Sequence, residues 1–276
     1  MRVSIITAFY KDIQALDLIV KSLKFQSYQN FELVIAEDNN SPETAEYINS
    51  ISGIDVIHTT QDDLGIRKAR SMNNAILAST GEYLIFIDGD CVPYHNFISS
   101  HVALAERGMV LSGRRVNLGP KISARLRDGN LAAIDLEKHY LLYLPRLLSD
   151  QATHVGQGLN FSPHGIIYKS IIKKRKRSNT SLLGCNYSCF RNDMYNINGY
   201  DEGYGDTSVA DDMDLEWRFI AYGLKIKSCK QVANVFHLYH EPRYCGRDTT
   251  PEVGKMLERK ARGDYKAEVG LCSHTK

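Results

Sequence analysis

Tyr83-Leu84-Ile85-Phe86-Ile87 contains no charged residue and runs straight into Asp88-Gly89-Asp90. An apolar run of this length, without alternation, reads as a strand buried on both faces, the kind found in a parallel sheet covered by helices. The chain before it supplies such a setting. Val3 to Phe9, Phe31 to Ala36 and Asp55 to Thr59 read as three earlier strands. Between the first two, Ile13, Leu16, Ile19, Val20 and Leu23 recur at helical spacing. Ser41 before Pro42 starts a second helix, and Ala69, Met72, Ala75 and Ile76 share one face of a helix drawn from Gly65 to Ala78. The expected fold class is α/β, with a mixed, mostly parallel central sheet and helices on both faces.

At 276 residues the chain buries a large core without covalent staples. Its six cysteines are scattered; Cys185 and Cys189 come nearest to a metal-binding or redox spacing but lack a second pair. This points to a reducing cytoplasm. The apolar start at Met1 to Tyr10 is too short for a signal-peptide core or a membrane span. With 34 basic and 32 acidic residues the net charge is +2, which argues against nucleic acid as a partner. Basic residues cluster in Lys173-Lys174-Arg175-Lys176-Arg177 and again between Arg243 and Lys266.

From Gly113 to Ser181 the pattern is less regular, with a helical stretch expected over Ala132 to Leu148. Helices follow near Arg191 to Ile197 and from Asp212 to Tyr222, then strands at Lys225 to Cys229 and Ala233 to Leu238.

Asp88 and Asp90 fall at the carboxyl end of a buried strand, where open α/β sheets bind ligands. Two carboxylates one residue apart suit a hard cation such as Mg²⁺ or Mn²⁺ with positions left for phosphate oxygens; Asp-Gly also suits a plain turn. Asp38 follows another strand and offers an acceptor for a base or ribose, or else caps a turn. Gly65-Ile66-Arg67-Lys68-Ala69-Arg70 places three cations at a helix start, against the dipole unless an anion such as a diphosphate binds there. In Ala210-Asp211-Asp212-Met213-Asp214-Leu215-Glu216-Trp217-Arg218 the acids exceed what capping needs, although Asp214 and Glu216 could serve Arg218 or the dipole. A carboxylate here could deprotonate an attacking hydroxyl. His237 and His240 lie three apart, on opposite faces if the strand is regular, and one could reach a metal.

These pieces resemble bacterial GT-A glycosyltransferases of family 2, and the second half resembles a galactosyltransferase-type C-terminal region. The resemblance is carried by Val3 to Thr7, Gln26 to Glu32, the Asp38 turn, Gly65 to Asn73, Ala78 to Asp90, Asn198 to Glu202 and Asp211 to Arg218. It implies the GT-A nucleotide-diphospho-sugar transferase fold, with residues 1–112 as the nucleotide-sugar-binding half and 113–181 as a variable acceptor region. Residues 182–242 would be the galactosyltransferase-like half and 243–276 a charged tail. It further implies that Thr7, Ala8, Phe9 and Asp38 hold the uridine, with Arg67 and Lys68 near the base or diphosphate. Asp88, with Gly89 beside it, would contact ribose and metal-bound water, Asp90 would bind Mn²⁺ or Mg²⁺, and His237, with His240 as alternate, would supply the later metal ligand. Asp212 would be the general base and Asp211 an acceptor contact. Asp211 departs from the usual Glu, and Gly205 to Val209 is longer and more polar than usual.

The implied activity is inverting transfer from a UDP-sugar (Gal, Glc, GlcNAc or GalNAc) to a hydroxyl of a glycan or lipid-linked acceptor in bacterial surface polysaccharide synthesis. Lys173 to Arg177 suits a mobile loop near the active site, a contact with an anionic lipid surface, or an ordinary solvated loop; the lipid reading would make this cytoplasmic protein peripheral to the inner membrane face. The rival readings are an Asp-x-Asp phosphatase of the haloacid-dehalogenase type and a non-catalytic nucleotide-sugar-binding module.

Overall fold

The computed structural model describes residues 1–172, 180–204, 211–241 and 248–274. The basic run at 173–177 and the 205–209 loop lie outside the described residues.

Among the described residues, ten strands form two sheets. The larger has the order β3-β2-β1-β4-β8-β6-β9, and the smaller the order β5-β10-β7. β1 (Val3–Phe9) pairs in parallel with β2 (Phe31–Glu37) and β4 (Tyr83–Asp88), and β2 pairs in parallel with β3 (Asp55–Thr59). β8 (Asn186–Phe190) runs antiparallel to β4 and to β6 (Met109–Ser112), and β9 (Lys225–Ser228) rejoins in parallel at the edge. In the small sheet, β10 (Asn234–His237) lies between β5 (Cys91–Pro93) and β7 (Arg114–Asn117).

The unbroken apolar strands have a direct cause. Ile5, Leu33, Ile35, Ile85 and Ile87 face one core with α1 (Ile13–Lys24), while Ile6, Val34, Leu84 and Phe86 face a second core with α3 (Lys68–Ala78). Each face takes every second residue, so both sets must be apolar.

The expected helix from Gly65 is shorter. Gly65 has φ +79°, outside the helical region, and the helix starts at Lys68 with Arg67 as its N-cap. The stretch expected as one helix over Ala132 to Leu148 is two, α6 (Ala133–Lys138) and α7 (Tyr140–Ser149), broken at His139. They follow α5 (Pro120–Arg127). α2 (Pro42–Asn49), α4 (Phe97–Leu104) and α8 (Arg191–Asn196) complete the layers before α9 (Asp211–Ala221). β8 lies inside the large sheet although Asn186 to Phe190 carries Asn and Ser, because Ser188 bonds Tyr83 at 2.7 Å and the Asn186 amide donates to two backbone carbonyls.

α10 (Thr250–Arg262) is amphipathic and docks: Met256 packs with Trp217, and Arg259 is buried against Asp201. The expected charged tail thus includes a helix that covers α9. Among the described residues no helix is long and apolar enough to cross a membrane.

Candidate active site

The carboxyl ends of β1, β2 and β4 stop level with one another, with Ala8 opposite Asp88 and Phe9 opposite Glu37. A side chain at Gly89 would collide with the Ala8 carbonyl, so glycine allows this approach. The strand ends open into a cleft of about 580 Å³. Its first half presents Ala8, Phe9, Asp38, Lys68, Asp88 and Gly89; its second presents Asp90, Asp212, His237 and His240.

Two expected donor contacts are not brought there. Thr7 is fully buried and absent from the lining, because strand alternation turns it away from the cleft that takes Ala8. Arg67 is also absent from the lining: its guanidinium donates to the Asp62 carbonyl. Its backbone N–H still matters, donating to Asp38 Oδ2 at 2.7 Å, while Gln61 Nε2 donates to Oδ1 at 2.6 Å. Asp38 is therefore fixed in orientation, and each oxygen retains acceptor capacity.

Lys68, the first residue of α3, donates to Asp88 Oδ1 at 2.9 Å. Burial pulls the Asp88 carboxyl towards its neutral form, but Lys68, helped by Arg115 and His237, holds it below the ordinary carboxylate range. A cation at a helix start facing a carboxylate and an open cleft can accept a bridging anion.

Asp90 is the convergence point of the second half. His237 Nε2 lies 3.4 Å from Asp90 Oδ1, and His240 Nε2 lies 3.3 Å from Oδ2. The expectation that residues three apart would face opposite ways is corrected: β10 ends at His237, and the chain beyond it carries His240 back to the same carboxylate. Burial pushes His237 below the usual imidazole value against the pull of Asp90, favouring the neutral ring that ligates metals. Cys91 lies in the same cluster, within 4.8 Å of the Asp90 and His237 ligand atoms. Burial pushes its thiol well up, so the Asp90 carboxylate and the His237 imidazole form the donor set that need lose no proton to bind a cation. Such a set fits Mn²⁺ better than Mg²⁺, which prefers oxygen ligands.

Asp212 lies at the start of α9 and reaches the cleft beneath Gly184, where a Cβ would strike its carboxylate. Burial raises its carboxyl above the ordinary range, with the Gly184 backbone N–H and Lys68 opposing. Asp211 is in α9, but its side chain lies outside the description. The other acids of this cluster have structural partners. Asp214 accepts from Tyr204, Trp217 and Arg218 at 2.8, 3.0 and 2.6 Å, and Glu216 accepts from the Leu182 N–H at 2.6 Å.

Arg115, Tyr10 and Asp12 line the same cleft, and sequence reasoning missed them. Arg115 sits on β7, inside a region that carried no motif, and its Nη1 lies 3.4 Å from Cys185 Sγ. The β7–β10 pairing sets it opposite Val235, two residues before His237, close enough for its charge to act on that imidazole. Asp12 is held by Arg127 through two hydrogen bonds of 2.7 and 2.8 Å. Tyr10 directly follows β1 and could have been found as the next residue after Phe9.

A family model described as Glycosyl transferase family 2 matches residues 4–179, and one described as N-terminal domain of galactosyltransferase matches residues 168–241. The Bacillus subtilis (strain 168) protein described as glycosyltransferase EpsE is 28% identical over 108 residues, 38% of this chain and 39% of that protein. The chain thus spans well under two thirds of that relative's length. Among solved structures, S. aureus TarS 1-349 in complex with UDP-GlcNAc superposes with a TM-score of 0.62 at 13% identity, covering 99% of this chain and 69% of that one. GalNAc-T7 with UDP, GalNAc and Mn²⁺ superposes with a TM-score of 0.64 at 15% identity, covering 94% and 48%. At these identities the likeness is one of fold.

Proposed function

The chain belongs to glycosyl transferase family 2, and we propose that it transfers a sugar from a UDP-sugar to a hydroxyl of a glycan or lipid-linked acceptor, inverting the anomeric centre. The carrying observation is that Asp38, Lys68, Asp88, Asp90, Asp212 and His237 line one cleft although they come from separate elements. The solved neighbours with UDP-GlcNAc, or with UDP, GalNAc and Mn²⁺, support a uridine donor carrying one of these sugars or Gal or Glc.

Asp38, oriented by Gln61 and the Arg67 N–H, accepts from the base, with Ala8 and Phe9 beneath it. Lys68 neutralises diphosphate oxygens while keeping Asp88 ionised for the ribose. Asp90 and His237, with His240 close by, would hold Mn²⁺, which supplies Lewis-acid stabilisation of the diphosphate. Asp212, with a raised pKa, takes the proton of the acceptor hydroxyl as its oxygen bonds to the anomeric carbon. The bond from that carbon to the phosphate oxygen breaks, and its electron pair leaves with UDP beside Lys68 and Arg115. Asp211 is assigned to the acceptor. Family membership displaces the phosphatase alternative.

The test is a donor panel with and without acceptors, detecting released UDP in Mn²⁺ and after chelation. Asp90→Asn should abolish the Mn²⁺-dependent release. Release unaffected by both chelation and Asp90→Asn would overturn the metal assignment, and absence of UDP-sugar binding would overturn the donor assignment.

A further inference from the structure

α7 is apolar on both sides. Tyr140 and Leu147 are buried, Tyr140 lying 6.2 Å from the ring of Phe236 in β10, and Tyr143 and Leu144 pack against the same core. These positions repeat at three, four and seven residues, so they form the inward stripe of an ordinary surface helix. The outward side should then be polar. It carries Leu141, Leu142, Pro145 and Leu148 instead, with the three leucines 67%, 75% and 57% exposed. Leu141, Pro145 and Leu148 fall on one line at four- and seven-residue spacing, with Leu142 beside it.

The rim of this face is basic. Lys138 precedes the helix, and Arg146 flanks it. Lys121 stands at its far end, because Asp150, which follows α7, accepts from the backbone N–H groups of Lys121 and Ile122 at 3.0 and 2.7 Å. The exposed acid of the preceding helix, Asp135, lies a turn further back in α6.

We propose that the outward face of α7 docks on an anionic lipid bilayer, lying in the headgroup plane with its leucines in the acyl boundary and Lys138, Arg146 and Lys121 on lipid phosphates. The charge argues for lipid over a second copy of this chain. A two-fold contact through this face would set one basic rim against another, whereas an anionic surface attracts all three cations. The helix is too short to span, at ten residues, and its inner stripe is committed to the core, so it rests on the surface. α7 stacks through Tyr140 on the strand that ends at His237, so a docked bilayer lies on that flank of the fold. The link to a lipid-linked acceptor rests on the function proposed above; the docking face does not.

Sedimentation of the full chain with vesicles tests this. The chain should pellet with equimolar phosphatidylcholine and phosphatidylglycerol and remain free with phosphatidylcholine alone. L141S/L142S should weaken pelleting roughly tenfold or more without changing UDP binding, since both leucines are already exposed and outside the cleft. Wild-type pelleting by L141S/L142S, or no pelleting of the parent with anionic vesicles, overturns the proposal. A parent dimer that the double variant converts to monomer overturns it in favour of a subunit interface. UDP binding, measured separately, reports on the donor reading whatever the vesicles show.

Discussion

Asp212 is a carboxylate whose surroundings suit a base. Burial raises its pKa, the Gly184 N–H holds its orientation, and Lys68 and Arg115 limit the rise. A raised pKa means that the proton-accepting form is lost earlier as pH falls. The acid limb of kcat should therefore lie above the ordinary carboxylate value of about 4. Asp212→Asn should lower kcat about 10²- to 10⁴-fold with UDP binding retained and the acid limb removed. A variant with near-parental turnover would sink the assignment. Asp88, one cleft wall away, is pushed in the opposite direction by Lys68. Two carboxylates of one cleft thus shift in opposite directions because one has a cation at hydrogen-bond distance and for the other burial outweighs its partners.

At the scale of elements, α9 is anchored by the acids that do no chemistry. Asp214 accepts the Arg218 Nε inside the core, and the same guanidinium donates to the carbonyl of Gly199 at 2.7 Å. Removing one partner leaves a buried guanidinium without its counter-ion. Asp214→Ala should then cost about 3–5 kcal/mol, measured as a shift of the urea midpoint at unchanged slope. Gly184→Ala should do the reverse, leaving stability nearly intact while lowering kcat about tenfold or more, because a methyl there displaces the Asp212 carboxylate and a small shift of a catalytic group costs rate. Comparison of its kcat with its unfolding midpoint separates the two effects. The donor side is tied to α9 through α3: Asn73 accepts from the Tyr200 N–H and donates to its carbonyl, both at 2.9 Å, joining that helix to the turn that precedes α9.

Over the whole molecule, Glu32 joins the start of β1 to β2 and to the turn before β4. It accepts from Ser4, from Thr80 through both backbone and hydroxyl, and from Arg2. Burial alone would raise its pKa, and these hydrogen bonds overcome that and hold it at about 2. Its contribution to stability is present above the unfolded value of about 4.3 and is lost as pH falls towards the folded value. Glu32→Gln should lower stability by about 1–3 kcal/mol at neutral pH and flatten acid unfolding in that window, as followed by circular dichroism. Equal acid midpoints for variant and parent would show that Glu32 is not a source of this pH dependence.

The order of strands and helices in the first half was legible from sequence because strands buried on both faces must be apolar at every position and their helices must repeat at 3.6. Asp38, Asp88 and Asp90 stood out because each follows an apolar run, and Asp212 because the acids around it exceed what capping needs. What the sequence could not supply was direction. Whether Thr7 or Ala8 meets the cleft depends on strand alternation against a fixed register, and Arg67 drops out because Gly65 delays the helix by one turn. Arg115 enters through a pairing between strands more than a hundred residues apart, and His240 reaches Asp90 because β10 ends at His237, so strand alternation does not govern the three residues that follow. Local composition thus determined which elements form and which residues carry charge. Long-range pairing decided that Asp88 meets Lys68, that both histidines meet Asp90, and that the Asp212 carboxylate is desolvated.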